Sequence, residues 1–348
     1  VCYKSPLTNI YGDSNSGGFF GAELKYAGYD VLIVKGRSEK PVYLWIHDDG
    51  VDIHDASWLW GMPTSETQRL LKEEADERAK VACIGPAGEN CVKFACIISG
   101  WRAASRGGAG AVMGSKKLKA IAVSSAERKI KIADLQSFKK IIGEIYKSIR
   151  KSPLTSETYP KYGTTYLVEM INDLGIYPTM NFQTAVFKGA EKTSADILRE
   201  RMFVRSKPCF RCPVACTKIS SVRTGPYAGT VTRGPEYETI WAFSAQCDNE
   251  CLDSVVAASK LCDEMGLDTI STGNVIGFAM ESFERGLITK DDTEGLDLKF
   301  GNHKAMIEMI RKIAYKKGLG NVLADGVRQT SGEIGKSSEK FAMHVKGM

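Results

Sequence analysis

The chain lacks any apolar stretch approaching the roughly 20 residues that cross a bilayer, and no signal-peptide pattern opens it. Both absences point away from a membrane span. Histidine is scarce: His47, His54, His303 and His344 are scattered and build no H-E-x-x-H or similar metal pattern, so none is assigned a role. No segment carries charge of one sign. Lysine and arginine alternate with acids to a net charge of only +6, which disfavours nucleic acid as a partner. Internal repeats and low-complexity linkers are missing too. So is an initiator methionine: the chain opens Val1-Cys2-Tyr3 and stops at Met348 without a closing element, and it reads as an excerpt of a longer protein.

Its 348 residues exceed what one compact core usually holds, so two domains are expected. Residues 1–125 are strand- and glycine-rich. Strands are predicted at 30–35, 41–46, 51–54, 81–84, 92–98 and 118–123. A helix is predicted over 64–75, with Ser65 as a candidate N-cap. From residue 126 helical periodicity takes over: Asp134 caps a segment with Leu135, Phe138, Ile141, Ile142, Ile145 and Ile149 on one face. Further helices are expected near 164–174, 252–264, 274–285 and 303–317, several stopped by glycine. The expected class is α+β, a β-rich domain over 1–125 followed by a mostly α-helical domain over 126–348.

Cysteine is abundant at ten residues, and with no export signal it points to a reducing, cytoplasmic setting rather than to disulfides. Cys209, Cys212 and Cys216 stand at C-x2-C-x3-C spacing among Pro208 and Pro213. Short spacers let one turning loop aim several sulfurs at a common point, as an iron–sulfur cluster or a structural zinc requires. Either needs a fourth ligand, for which Cys247 and Cys251 are nearby candidates; three buried free thiols are the alternative.

Four more stretches carry candidate chemistry. Asn15-Ser16-Gly17-Gly18 is a small-residue loop whose amides can approach an anion closely, or simply a tight turn. Arg102-Ala103-Ala104-Ser105-Arg106-Gly107 sets two arginines four apart before a glycine turn, a combination that suits phosphate. Asp263-Glu264-Met265-Gly266-Leu267-Asp268 ends a helix, and a helix stop alone accounts for Gly266. Glu236 and Glu238 flank Tyr237 ahead of apolar Ile240-Trp241-Ala242-Phe243. A carboxylate at the edge of an apolar pocket has its pKa raised and becomes a usable acid or base, although an ordinary acidic turn fits the same residues.

Together these stretches, with Lys4-Ser5-Pro6-Leu7-Thr8, Ile84-Gly85-Pro86-Ala87-Gly88-Glu89-Asn90 and Asn181-Phe182-Gln183-Thr184, resemble the tungsten-containing aldehyde ferredoxin oxidoreductases throughout the chain. The resemblance implies tungsten (or molybdenum) held by two pterin cofactors whose phosphates share magnesium, beside a 4Fe–4S cluster. It implies that the regions of Asn15, Ser16, Gly17, Gly18 and of Arg102, Ala103, Arg106, Gly107 bind the magnesium–phosphate unit. Asp263, Gly266, Leu267 and Asp268 match the family's D-x-x-G-L-D pterin motif. Cys209, Cys212 and Cys216 match three cluster ligands, the fourth being expected beyond Met348, and Glu238 matches the active-site carboxylate. Where some members hold an intersubunit iron, this chain has Ala257 and Met306, so that metal is not carried over. The implied activity is aldehyde oxidation to carboxylate in an anaerobic cytoplasm, with ferredoxin or another electron-transfer subunit as partner, in a homodimer or hetero-oligomer. A tungsten subunit of a reductive benzoyl-CoA reductase is the runner-up, and a zinc-stapled structural module the non-enzymatic alternative.

Overall fold

The computed structural model describes every residue of the chain except Asp49 and Arg128. Two short strands, β1 (Cys2–Lys4) and β2 (Tyr11–Asp13), pair antiparallel at the start. Behind them lies a six-stranded sheet built from β3 (Val42–His47), β4 (Gly50–Asp55), β5 (Lys80–Cys83), β6 (Ile97–Ser99), β7 (Arg102–Ala104) and β8 (Leu118–Val123). Its order is β4-β3-β8-β5-β6-β7, and only the β3–β8 pair is parallel.

The strands sort their side chains by alternation, as a period of two demands. Val81, Cys83, Ala120 and Ala122 pack with Leu71 of α2 (Thr64–Glu74) on one face. Ala82, Ile84 and Ile121 pack on the other with Ala109 and Met113 of α4 (Ala109–Ser115) and, at the margin, Phe20 of α1 (Phe20–Tyr26); Leu118 joins them because the register shifts between it and Ala120. A fully buried lysine, Lys119, is satisfied by the Met62 carbonyl at 2.9 Å and by an ion pair to Glu89, at the end of α3 (Pro86–Glu89). Breaking one half of such a buried pair leaves an uncompensated charge, so both are needed together.

The remaining helices are α5 (Leu135–Lys151), α6 (Tyr159–Tyr162), α7 (Leu167–Asp173), α8 (Ala195–Met202), α9 (Tyr237–Phe243), α10 (Leu252–Met265), α11 (Thr269–Glu284), α12 (His303–Ala314), α13 (Leu319–Leu323) and α14 (Val327–Ile334). A small sheet of β9 (Phe203–Ser206), β10 (Lys218–Ser221) and β11 (Val231–Arg233) interrupts them. The architecture is therefore α+β. The largest core is shared: Leu7, Ala87, Phe94 and Ala95 are buried in the same cluster as Val255, Phe278, Met306 and Ile310 of the helices.

Four local expectations are corrected. Residues 30–35 alternate in burial, with Leu32 and Val34 packed inward and Val31 and Ile33 exposed, but they join no ladder among the described residues. Of 92–98 only the end is strand, because Cys96 and Ala95 bond instead to the turn after α10. Ser65 does not cap α2; its amide and hydroxyl donate to Glu264 at 3.2 and 2.7 Å. The helix predicted from residue 274 starts at Thr269, because Asp268 caps it. Asp134 does cap α5, accepting from the Gln136 and Ser137 amides at 3.0 Å, yet no residue of α5 is buried. Among the described residues no helix is long and apolar enough to cross a membrane.

Candidate functional site

The turn between α10 and α11 is the pivot of the site. Gly266 ends α10 in the left-handed region at φ 72°, as a helix stop requires. It does more than that. A Cβ on Gly266 would fall 2.8 Å from the Gly85 nitrogen, and one on Gly85 would fall 2.5 Å from the Met265 carbonyl. The two backbones touch without side chains between them. Cys96 donates its amide to the Gly266 carbonyl at 2.8 Å, Asp268 donates to Phe94 at 3.2 Å, and buried Leu267 bridges Ala95. The turn is thus sewn to the strand-rich base.

Asp268 caps α11 through the Ser271 amide at 3.0 Å and accepts from the Ser105 hydroxyl at 2.8 Å. The Arg106 Nε stands 3.7 Å from its other oxygen. Arg106 and Gly107 are held from behind: the Tyr3 hydroxyl donates to the Arg106 carbonyl at 2.6 Å, and Ser5 to that of Gly107 at 2.7 Å. Gly107, at φ 89°, leaves the room that Tyr3 occupies. Ala103 pairs with Ile98 in the sheet edge.

The glycine loop meets the cysteine loop. Asn15, Ser16 and Gly17 are exposed and Gly18 half-buried. A Cβ on Gly17 would lie 2.9 Å from the Cys209 sulfur, and one on Gly18 would lie 3.2 Å from Arg102 Cγ. The Phe210 amide donates to the Gly18 carbonyl at 3.0 Å, and Arg102 bonds the Thr217 hydroxyl just after Cys216. Three stretches far apart in sequence therefore share one corner.

Cys209, Cys212 and Cys216 are half-buried on a loop closed by the Lys207 amide on the Thr217 carbonyl at 2.9 Å. No group of three or more His, Cys, Asp or Glu side chains is gathered as a single-ion shell among the described residues; a four-iron cube spaces its thiolates more widely than one ion does. Cys247 is fully buried, its thiol directed at the Ala242 carbonyl and pushed up by burial, and Cys251 serves as the N-cap residue of α10. Among the described residues neither joins the loop thiols in a group of three or more.

The structure separates the two carboxylates that the sequence left level. Glu236 accepts from the Thr164 hydroxyl at 2.7 Å, and Thr164 also takes the Tyr237 amide at 3.0 Å, so Glu236 clasps the entry to α9. The Glu238 carboxyl has no hydrogen-bond partner among the described residues. Its helix is held to α11 by Thr239 and Thr269 hydroxyls 2.8 Å apart. Surrounding protein pushes its carboxyl above the ordinary glutamate range; nearby Arg106 opposes this and Asp268 adds to it. Glu238, Arg106 and Asp268 thus form one electrostatic group.

A cavity of about 830 Å³ opens between Gly18, Arg102, Lys207, Arg233, Lys260 and Asp263, within the range of cofactor-sized sites. Desolvation lifts the Asp263 carboxyl to about 6, against the pull of Arg233 and Lys260. Arg233 carries a buried Nε without a hydrogen-bond partner; that of Arg106 likewise makes no hydrogen bond but pairs with Asp268 by charge. A free Arg233 Nε beside a buried carboxyl that is largely ionised at neutral pH suits a ligand with phosphate at one end and ring N–H groups elsewhere. The donors on this wall fit a phosphorylated pterin.

Asp263→Asn is expected to stabilise the cofactor-free protein at pH 7 by about 3 kcal/mol, since the carboxyl rises from 3.8 to about 6 and each pKa unit is worth ~1.4 kcal/mol. The folded chain holds this proton more tightly than the unfolded one, so wild-type stability falls as pH rises from about 4 to about 6. Thermal melts at pH 4 and pH 7 check this: an equal shift at both refutes it.

Two contributors escaped sequence reasoning. Lys218, nearly buried, places its ammonium on the carbonyls of Pro160 at 2.6 Å, Ala215 at 3.0 Å and Tyr159 at 3.2 Å, and on the Ser206 hydroxyl at 3.1 Å. It ties the cysteine loop to the segment after α5. Arg233 lines the cavity from β11. A lone cation in a short polar strand carries no signal that would have found either.

The comparisons with known proteins agree with this layout. The family description "aldehyde ferredoxin oxidoreductase, N-terminal domain" matches residues 1–125, and "aldehyde ferredoxin oxidoreductase, domains 2 & 3" matches 140–348. The tungsten-containing aldehyde ferredoxin oxidoreductase of Thermococcus kodakarensis is 47% identical, covering 99% of this chain and 56% of its own. That of Pyrococcus horikoshii is 47% identical over 94% of this chain and 54% of its own. Among solved structures, the active-site complex BamBC of benzoyl coenzyme A reductase with 1,5-dienoyl-CoA superposes with a TM-score of 0.84 at 29% identity, over 99% of this chain and 54% of that one. The chain spans about half the length of these relatives. It belongs to the aldehyde ferredoxin oxidoreductase family.

Proposed function

We propose that this chain forms the cofactor-binding part of a tungsten-dependent enzyme that oxidises aldehydes to carboxylates and hands the electrons to ferredoxin in a reducing cytoplasm. The supporting observation is convergence: the glycine loop, the Arg102–Gly107 turn, the Asp263–Asp268 turn and the cysteine loop, separated by up to about 250 residues, contact one another in pairs. Gly18, Arg102, Lys207, Pro208 and Asp263 from them line the cavity, and Glu238 lies near Arg106 and Asp268. The ten cysteines are all free, which suits the compartment proposed.

When bound, the tungsten bis-pterin supplies two-electron redox chemistry and the 4Fe–4S cluster a one-electron exit. The chain's residues supply the rest. Arg102, Arg106 and Arg233 receive phosphate charge, and the loop carbonyls near Asn15 and Ala103 hold the magnesium. Asp263 would bond the pterin ring, and Cys209, Cys212 and Cys216 would hold the iron. Overall, an aldehyde and water give a carboxylate, three protons and two electrons. Glu238 takes up a proton as water or its equivalent reaches the carbonyl carbon, a task matched to a carboxyl whose pKa is raised.

Reduction of an aromatic thioester is the second reading, supported by the structural likeness to the benzoyl coenzyme A reductase complex. The higher identity to aldehyde-oxidising relatives favours the first. The deciding experiment is elemental analysis of the full-length protein for tungsten, molybdenum, iron and zinc, coupled to viologen reduction. The expected result is tungsten and iron with aldehyde-dependent viologen reduction. Zinc alone without turnover overturns the reading, and dienoyl-CoA-dependent turnover in place of aldehyde turnover transfers it to the second.

A further inference from the structure

Two residues of the cysteine loop sit in the left-handed region that side chains avoid. Arg211 and Ala215, each directly before a thiol, both stand at φ 50°. The second of them is clamped. Buried Lys218, the first residue of β10, sets its ammonium 3.0 Å from the Ala215 carbonyl while also bonding Tyr159, Pro160 and Ser206. Its own backbone is pinned in the small sheet, paired with Ser206, and its carbonyl accepts from the Gly234 amide at 2.7 Å. Beside it Gly163, at φ 69°, comes so close that a Cβ there would fall 2.6 Å from the Cys216 carbonyl. Lys218 is therefore enclosed by α6, β9 and the loop.

The carbonyls of Tyr159, Pro160 and Ala215 can only accept, so three N–H donors face them. A neutral amine has two and an ammonium three. The geometry is that of a charged lysine. Burial lowers its pKa; among the charges around it Cys216 is foremost in holding the proton on, with Arg199 opposed and Glu236 in support. None of its four hydrogen-bond partners is a carboxylate. Burying a cation without one is costly, and a neutral amide could hold two of the same carbonyls at less cost. The charge itself therefore calls for a use.

We propose that Lys218 raises the reduction potential of the iron–sulfur centre on Cys209, Cys212 and Cys216, an inference that rests on the oxidoreductase reading above. Taking up one electron from the aldehyde oxidation makes that centre one unit more negative, with no bond made or broken and no proton moved. Net charge and burial are among the levers that set such potentials. A fixed positive charge in a buried, weakly screened place stabilises the reduced centre more than the oxidised one. Lys218 acts through the centre and is a positioning residue.

The test uses the full-length holoenzyme carrying Lys218→Gln, Lys218→Met or Lys218→Arg. Iron is measured in each, and the reduced centre is followed by its EPR signal through a mediated dithionite titration. Expected is full iron in the two neutral variants with the reduced form disfavoured about tenfold or more, a fall of ~59 mV for one electron. Lys218→Arg keeps the wild-type potential, and the fall is the same at low and high salt because a buried charge is screened little. Wild-type potential in the neutral variants overturns the proposal. So does an equal fall in the arginine variant. Loss of iron from both neutral variants also overturns it, since Lys218 would then only build the loop. Zinc in place of iron in the wild type sinks the oxidoreductase reading and the proposal with it. A lowered potential in the neutral variants, with iron and tungsten present but no aldehyde turnover in the wild type, sinks the aldehyde reading and leaves Lys218 in its role.

Discussion

Exchanging Glu238 for Gln is expected to lower aldehyde-dependent turnover by about 10²–10⁴-fold, the usual worth of a positioned acid or base, while tungsten and iron contents stay at wild-type levels. Gln keeps the size and polarity of the side chain and removes only the exchangeable proton. Since the Glu238 carboxyl bonds no described residue and α9 is anchored elsewhere, by Thr239 and by Glu236 with Thr164, the substitution leaves the helix and the cavity wall in place. Its raised pKa has burial as the largest cause, so in wild type the activity of the ionised base rises with pH through that raised value, and the Gln variant loses that limb. Undiminished turnover removes Glu238 from the chemistry. A parallel loss of tungsten would make it a structural residue instead.

Cys212→Ala has the second large expected effect: most of the iron is lost, tungsten is retained, and electron delivery to ferredoxin is abolished. Disturbing even the groups that orient a metal's ligands costs about 10–100-fold in affinity, so deleting a ligand costs at least that. The loop itself survives. Its closure rests on backbone contacts, Lys207 to Thr217 and Phe210 to Gly18, and the Cys212 amide on the Cys209 carbonyl at 3.1 Å persists with alanine. Iron and tungsten measured on the same sample decide the matter. Full iron occupancy in the variant rules out Cys212 as a ligand, and loss of both metals would show that the loop and cavity fold as one.

Much of this was legible in the residues. The run Leu118–Val123 becomes β8 with the bounds its composition implies, and Asp134 and Gly266 cap and stop their helices as their side chains dictate. Local rules settle such features because the partners lie within one turn. The errors fall where partners are distant. Residues 30–35 have strand composition and strand alternation, but a ladder needs a neighbour that no local pattern supplies. Ser65 had the right chemistry for a cap, and Glu264, about 200 residues away, took its hydrogen bonds. The periodicity of α5 was plain, yet a stripe of isoleucines says that something covers it and not what. Local pattern did not tell Glu236 from Glu238, and only the family resemblance singled out Glu238; in the structure Thr164 takes Glu236 as its partner. The glycines were underread: Gly266 looked like a stop and is also a contact with Gly85, while Gly17 looked like a turn and is also clearance for the Cys209 sulfur.

Lys218 has a consequence for assembly. Its ammonium gathers oxygens from the cysteine loop, from β9 and from the start of α6, much as a bound inorganic cation would, but it is covalently part of the chain and always present. The conformational entropy of ordering this loop is thereby met during folding, before any iron arrives. If the loop holds the cluster proposed above, its insertion is expected to be delivery to a preorganised receptor rather than a step that must fold its own site.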